Sequence, residues 1–234
     1  MIEVEICTPS RRSAEAAKTG GAQRVELCRD LACGGLTPTV DDVEYCVRRL
    51  GLRTHVLVRP RAGNFYYNAA EVSEIMSTIE QCRRLGAAAV VVGFLDYEGH
   101  VDQRLTRMAV EAAGPMQVTF HRAFDEARQD PCEALEAVAA CGCNRLLTSG
   151  QRATAAEGAA VIGRLVAEAA RLRSAGLGVT ILAGSGVTPA NVRSLVEATG
   201  VAEVHGSCKA AMPDGSVETD AAQVRQLLAA VQGL

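Results

Sequence analysis

The chain has 234 residues, 48% hydrophobic and 22% charged, with a net charge of -3. That length suits a single α/β domain of about 250 residues, and no apolar run approaches the roughly 20 residues that span a bilayer. Tryptophan is absent, aromatics make up 3% of the chain and no block of lysine or arginine occurs, which argues against base-stacking platforms and an electrostatic footprint for nucleic acid.

In chain order, β-rich runs are expected at 2–7, 24–28, 55–59, 89–93, 117–121, 145–148, 179–183 and 203–205. Between them lie helix-like stretches rich in Ala, Leu, Arg and Glu, among them 72–85, 103–113, 132–140, 154–173 and 191–198. Strand and helix alternating eight times read as a parallel sheet closed on itself, an α/β fold of the (β/α)8 TIM-barrel class spanning 1–234 as one domain. Thr37-Pro38 and Thr188-Pro189 each place a capping hydroxyl before a first-turn proline, as helix starts do. An open, doubly wound sheet would need a glycine-rich turn after the first strand, and Cys7-Thr8-Pro9-Ser10-Arg11 is not one. The N-terminus lacks a basic region and a signal-like apolar stretch. Nine cysteines without small-scaffold spacing fit a reducing compartment, so a cytoplasmic protein is expected.

Alternation along the strands sends Val4, Ile6, Val25, Leu27, Val56 and Val58 outward and turns Glu3, Glu5, Cys7, Arg24, Glu26, Cys28, Leu57 and Arg59 inward. By the same parity His121, Thr148 and His205 face inward at strand ends. An ordinary barrel core holds Val, Ile and Leu there. Charged groups in that position need partners, so they serve either as ion-pair architecture or as chemistry. Glu3 and Arg24, near the bottom, read as architecture; Glu26 and Arg59 read as chemistry or as a structural pair. Strands six to eight end in Thr148-Ser149-Gly150, Gly184-Ser185-Gly186 and His205-Gly206-Ser207, whose small residues leave backbone N–H groups open to an anion. The segment 59–67, with Arg59, Arg61 and three aromatics, reads as a binding lid or as a loop packed against a neighbouring subunit.

The strings Val25-Glu26-Leu27-Cys28, Gly34-Gly35-Leu36-Thr37-Pro38, Arg59-Pro60-Arg61, Phe120-His121-Arg122-Ala123-Phe124-Asp125, Leu147-Thr148-Ser149-Gly150 and Glu203-Val204-His205 resemble the CutC family of copper homeostasis, from the first strand through the eighth. The resemblance implies a cytoplasmic barrel, usually a homo-oligomer, proposed to bind copper(I) through cysteine. The family's shared strand-end residues correspond to Glu26, Arg59, Arg61, His121, Arg122, Asp125, Thr148, Ser149 and His205.

Two functions remain open at this point, with hard-metal hydrolysis using Glu5, Glu26 and the histidines as ligands a weaker third. In the first, soft thiolates capture copper(I), with Cys7 and Cys28 at inward parity on adjacent strands and Cys208 as a further rim thiol. In the second, a metal-independent lyase or isomerase acts on a small phosphorylated or carboxylated compound. Glu26 or His121 moves protons, while Arg59 and Arg61 clamp the anion opposite Ser149, Ser185 and Ser207. Arg122, Asp125, Thr148, Gly184, Gly186 and His205 complete that expected anion site. With Lys209 the only lysine near the rim, Schiff-base chemistry is disfavoured. The expected partners are a small anion or a metal ion, with no nucleic acid and no membrane.

Overall fold

The computed structural model describes residues 2–234. Its strands are β1 (Glu3–Thr8), β2 (Arg24–Leu27), β3 (Arg53–Leu57), β4 (Ala89–Val92), β5 (Gln117–Phe120), β6 (Arg145–Thr148), β7 (Thr180–Ala183) and β8 (Glu203–Gly206). All eight are parallel, neighbours in the barrel are neighbours in sequence, and β8 closes onto β1. The surrounding helices are α1 (Arg11–Thr19), α2 (Val40–Glu44), α3 (Ala69–Leu85), α4 (Gln103–Ala113), α5 (Pro131–Ala140), α6 (Ala159–Ser174), α7 (Val192–Thr199) and α8 (Ala221–Ala230). A short antiparallel hairpin, β9 (Lys209–Ala211) with β10 (Val217–Thr219), follows β8 and is not foreshadowed by the pattern. No described helix is long and apolar enough to cross a membrane.

The period-two pattern produces two separate apolar regions. Val4, Ile6, Val25, Leu27, Val56 and Val58 pack with Ala14, Ala17, Ile75, Ile79 and Leu165 of the helices into the main core. Cys7, Cys28, Leu57 and Val91 form a second, smaller cluster inside the barrel. Local chemistry sets the helix starts. Asn68 and Glu71 close a capping box on α3, and Thr39, not Thr37, caps α2. Thr37 instead accepts the Arg59 N–H at 2.9 Å, and α7 starts at Asn191, whose carboxamide accepts from the Thr188 N–H. Neither Thr-Pro pair is therefore a helix cap. α6 begins five residues later than expected because Gly158 packs against the backbone of Ser149 and Gly150, where any Cβ would collide.

At the N-terminal end the barrel is held by charge. Arg24, with no exposed surface, lies 3.0 Å from Glu3, 2.9 Å from Glu5 and 2.5 Å from Glu203. Glu203 also takes Arg145 at 2.8 Å, and Arg53 pairs with Glu3. This is the architectural role anticipated for Glu3 and Arg24. Removing one member of such a network leaves the others buried and uncompensated, at about 3–5 kcal/mol. Arg24→Leu is expected to lose that much stability in urea denaturation, although leucine is the more hydrophobic residue.

Candidate active site at the barrel mouth

A cavity of about 950 Å³ opens at the C-terminal ends of the strands, and Cys7, Glu26, Arg59, His121, Ser185 and His205 are among its lining residues. The backbone is strained on the same face. Asp30, Gln151, Ser185 and Cys208, the non-glycine residues with positive φ, all sit in loops that leave β2, β6, β7 and β8 at this end. Such conformations cost about 1–3 kcal/mol each and gather where binding or chemistry demands them.

The floor joins β1, β2 and β8. The Cys7 and Cys28 sulfurs are 3.8 Å apart, and the Cys7 thiol also lies 3.8 Å from Glu26 Oε1. His205 Nδ1 meets Glu5 Oε1 at 2.8 Å, and Glu5 Oε2 lies 2.7 Å from His55. One ligand atom from each of Cys7, Glu26 and His205 falls within 4.8 Å of the others. Burial alone would raise the Glu5 carboxyl, yet His205 and His55 outweigh it and hold the group well below the ordinary carboxylate value. Burial would likewise discharge His205, but Glu26, Cys7 and Glu5 keep its imidazolium well above the usual value. Glu26 has no such surplus of partners. Desolvation, only partly offset by His205, pushes it up to about 7. The hydrogen bond with Cys28, together with burial, raises the Cys7 thiol.

His121 follows β5, and its Nδ1 accepts the Ala123 N–H at 3.1 Å, which places the ring proton on Nε2. A Cβ at position 93 would lie 2.3 Å from Nδ1, so Gly93 gives the ring its seat. Burial and the Arg59 charge lower His121 to about 3. It is neutral at physiological pH. It therefore presents a fixed N–H donor, and of the two residues expected to move protons only Glu26, raised to about 7, titrates near neutrality. Arg59, just beyond β3, donates to the carbonyls of Cys33, Gly35 and Gly63 at 2.9, 3.1 and 2.9 Å and stacks 4.9 Å from the Phe65 ring. Among the described residues no carboxylate pairs with it, so the Glu26–Arg59 strut does not form.

The expected anion residues divide into two groups. Arg122, Ser185, Gly186, His205 and Ser207 line the cavity; Arg61, Thr148, Ser149 and Gly184 do not. Arg61 turns to Glu71, at 2.5 Å, and to the Asn64 and Tyr66 carbonyls, so it braces its own loop and is no clamp. Thr148 and Ser149 donate to Asp125, which also takes the Gln151 N–H and the Arg122 guanidinium. Asp125 reaches the cavity, but this ring of donors makes it the brace of the loops after β5 and β6 and not an anion binder. Gly184 is a packing glycine, since a Cβ there would lie 2.5 Å from Leu147. Cys208 lines the cavity but belongs to the main core and not to the Cys7–Cys28 cluster. Reading by strand missed His55, although it shares the parity of Leu57 and Arg59. Arg152, on the rim, carried no periodic signal at all.

A carboxyl ordinarily near 4.5 that titrates at about 7 in the fold is bound more tightly to its proton there. Its contribution is complete below pH 4.5 and lost as pH rises through 7. A shift of that size corresponds to about 3 kcal/mol. Glu26→Gln is expected to flatten the stability profile between pH 5 and 8 and to gain on the wild type at pH 8, as measured by urea denaturation at each pH.

The CutC family model matches residues 2–210. A family protein CutC of Chromobacterium violaceum is 47% identical over 206 residues, covering 88% of this chain and 81% of its own. One of Xanthomonas campestris pv. campestris is 46% identical, covering 88% and 83%. A solved CutC structure from Streptococcus agalactiae, named for copper homeostasis, superposes with a TM-score of 0.81 at 30% identity, over 88% of this chain and 99% of that one. A barrel of this register, with these strand ends and these relatives, belongs to the CutC family.

Proposed function

We propose that the protein serves copper homeostasis by holding copper(I) between Cys7 and Cys28 on the floor of the mouth. The observation that carries this reading is the 3.8 Å separation of the two sulfurs on adjacent strands. Thiolates are the ligands that a soft monovalent ion prefers, and His205 and Glu26 stand beside Cys7 as additional donors. Both thiols are buried, so the bound ion is sheltered from water. Cys208, which packs in the main core, is left out of this proposed site. In anaerobic competition with a copper(I) chelator, Cys7→Ser and Cys28→Ser should each weaken binding by more than the roughly 100-fold that loss of a supporting group costs. Cys208→Ser should bind as the wild type does. Wild-type affinity in the Cys7→Ser/Cys28→Ser double variant would overturn the reading.

A second reading rests on Glu26, a buried carboxyl raised to about 7 beside a charged His205. A base tuned to working pH suits proton transfer. The protein would then be a lyase or isomerase acting on a small carboxylated or phosphorylated compound: Glu26 removes a proton from carbon beside a carbonyl, and the electron pair moves onto the carbonyl oxygen. Incubation with small carbonyl acids in deuterated water should exchange that hydrogen at a rate abolished by Glu26→Gln. Identical exchange in the variant would remove Glu26 as the base.

A further inference from the structure

We infer that the mouth contains an oxyanion subsite, formed by Arg59 and His121, both packed against the Phe65 ring, that takes a carboxylate or phosphate oxygen of a small organic molecule. Four observations carry it. Arg59 is 6% exposed and, among the described residues, has no carboxylate partner. Its contacts are neutral carbonyls, which satisfy N–H groups but cancel no charge. Removing a guanidinium from water without a counter-charge costs several kcal/mol, so an anion is the missing member.

The second observation is His121. Its Nδ1 is occupied by the Ala123 N–H, while Nε2 is buried and has no partner, in a residue that is only 5% exposed. An unsatisfied buried donor costs about 1–3 kcal/mol, which an incoming acceptor recovers. The ring stays neutral, so it offers a hydrogen bond and not a second positive charge. Third, the two groups meet at Phe65: the Arg59 guanidinium lies 4.9 Å from the ring centre, and the His121 ring lies 4.9 Å from it at a tilt of 55°. Finally, a cavity of about 950 Å³ is far larger than a bare ion needs and falls in the range of small-molecule sites. Arg122, Arg152 and Lys209 line the same space, together with the acids Glu26, Asp125 and Glu126.

The subsite deepens the proton-transfer reading but rests on binding, so the two can fail separately. The test is ring ¹⁵N NMR of His121 in the whole wild-type protein, with two sets of probes: acetate and pyruvate as carboxylates, inorganic phosphate and glycerol phosphate as phosphates. The free protein should show the neutral Nε2–H tautomer from pH 5 to 9. One set should shift the Nε2 resonance saturably and so identify the anion class. Calorimetry with that probe should then show at least tenfold weaker binding in both Arg59→Lys and His121→Phe. An unmoved resonance with all four probes, or wild-type affinity in both variants, would overturn the subsite. Should a variant fail to fold, the wild-type titration decides alone. Binding without hydrogen exchange would end the catalytic reading and leave the subsite standing.

Discussion

Charge inside a barrel must be compensated, and in this molecule Glu5 is the residue through which the compensation runs. Its carboxylate meets Arg24 below, His55 on β3 and His205 on β8. Three strands are thereby tied to one acid with no exposed surface. Parallel register makes this possible, because Glu5 stands opposite Arg24 on one side and His205 on the other. A hydrophobic residue at position 5 would leave Arg24 and both histidines without their shared counter-ion. With Glu26 and Cys7, the same acid holds His205 above its ordinary value, so the architecture of the bottom contributes to the electrostatics of the mouth.

Above that level the mouth has two kinds of wall. Around β5 and β6, Asp125 collects Thr148, Ser149, Gln151 and Arg122 into a closed set of hydrogen bonds. Few donors there remain for a ligand. Around β7 and β8 the strand ends carry small residues, and Ser185, Gly186 and Ser207 border the cavity directly. The rigid wall fixes the entry of the segment carrying His121, while the open wall leaves space. A preorganised donor facing an open cavity is the arrangement that favours a bound oxyanion over water.

The fold and the inward charges were legible because both follow from a period of two. Eight β-rich runs could only bury their outer faces under helices, and once Val4 and Ile6 were outward, Glu5 and Cys7 had to face in. What parity could not reveal was how a side chain is used. Thr148 and Arg59 occupy the expected strand ends, yet Thr148 is bound by Asp125 and Arg59 by loop carbonyls. Arg61 looked like a second clamp only because Glu71, ten residues on, was not counted as its partner. The Thr-Pro signals misled for a related reason: a hydroxyl before proline caps a helix only if nothing nearer takes it, and the Arg59 N–H takes Thr37.

Cys7 links the two readings of the mouth and makes them compete. Its thiol is at once the neighbour of Cys28 and a donor to Glu26, whose other oxygen has no partner. A metal ion binds the thiolate, so capture at Cys7 expels that proton and removes the donor from Glu26. The ion also brings positive charge beside a carboxyl that sits near 7, and opposite charge favours ionisation. Copper on the floor would therefore convert Glu26 from a carboxyl that titrates near neutrality into a fixed carboxylate drawn to the ion. Arg59 and His121, on the β3 and β5 side against Phe65, are not among the hydrogen-bond partners of either sulfur. A loaded floor would thus still border the proposed anion subsite, but it would not leave Glu26 free as a base. On the two proposed readings, metal capture and proton transfer would be alternative uses of one cluster, decided by which of them holds Cys7.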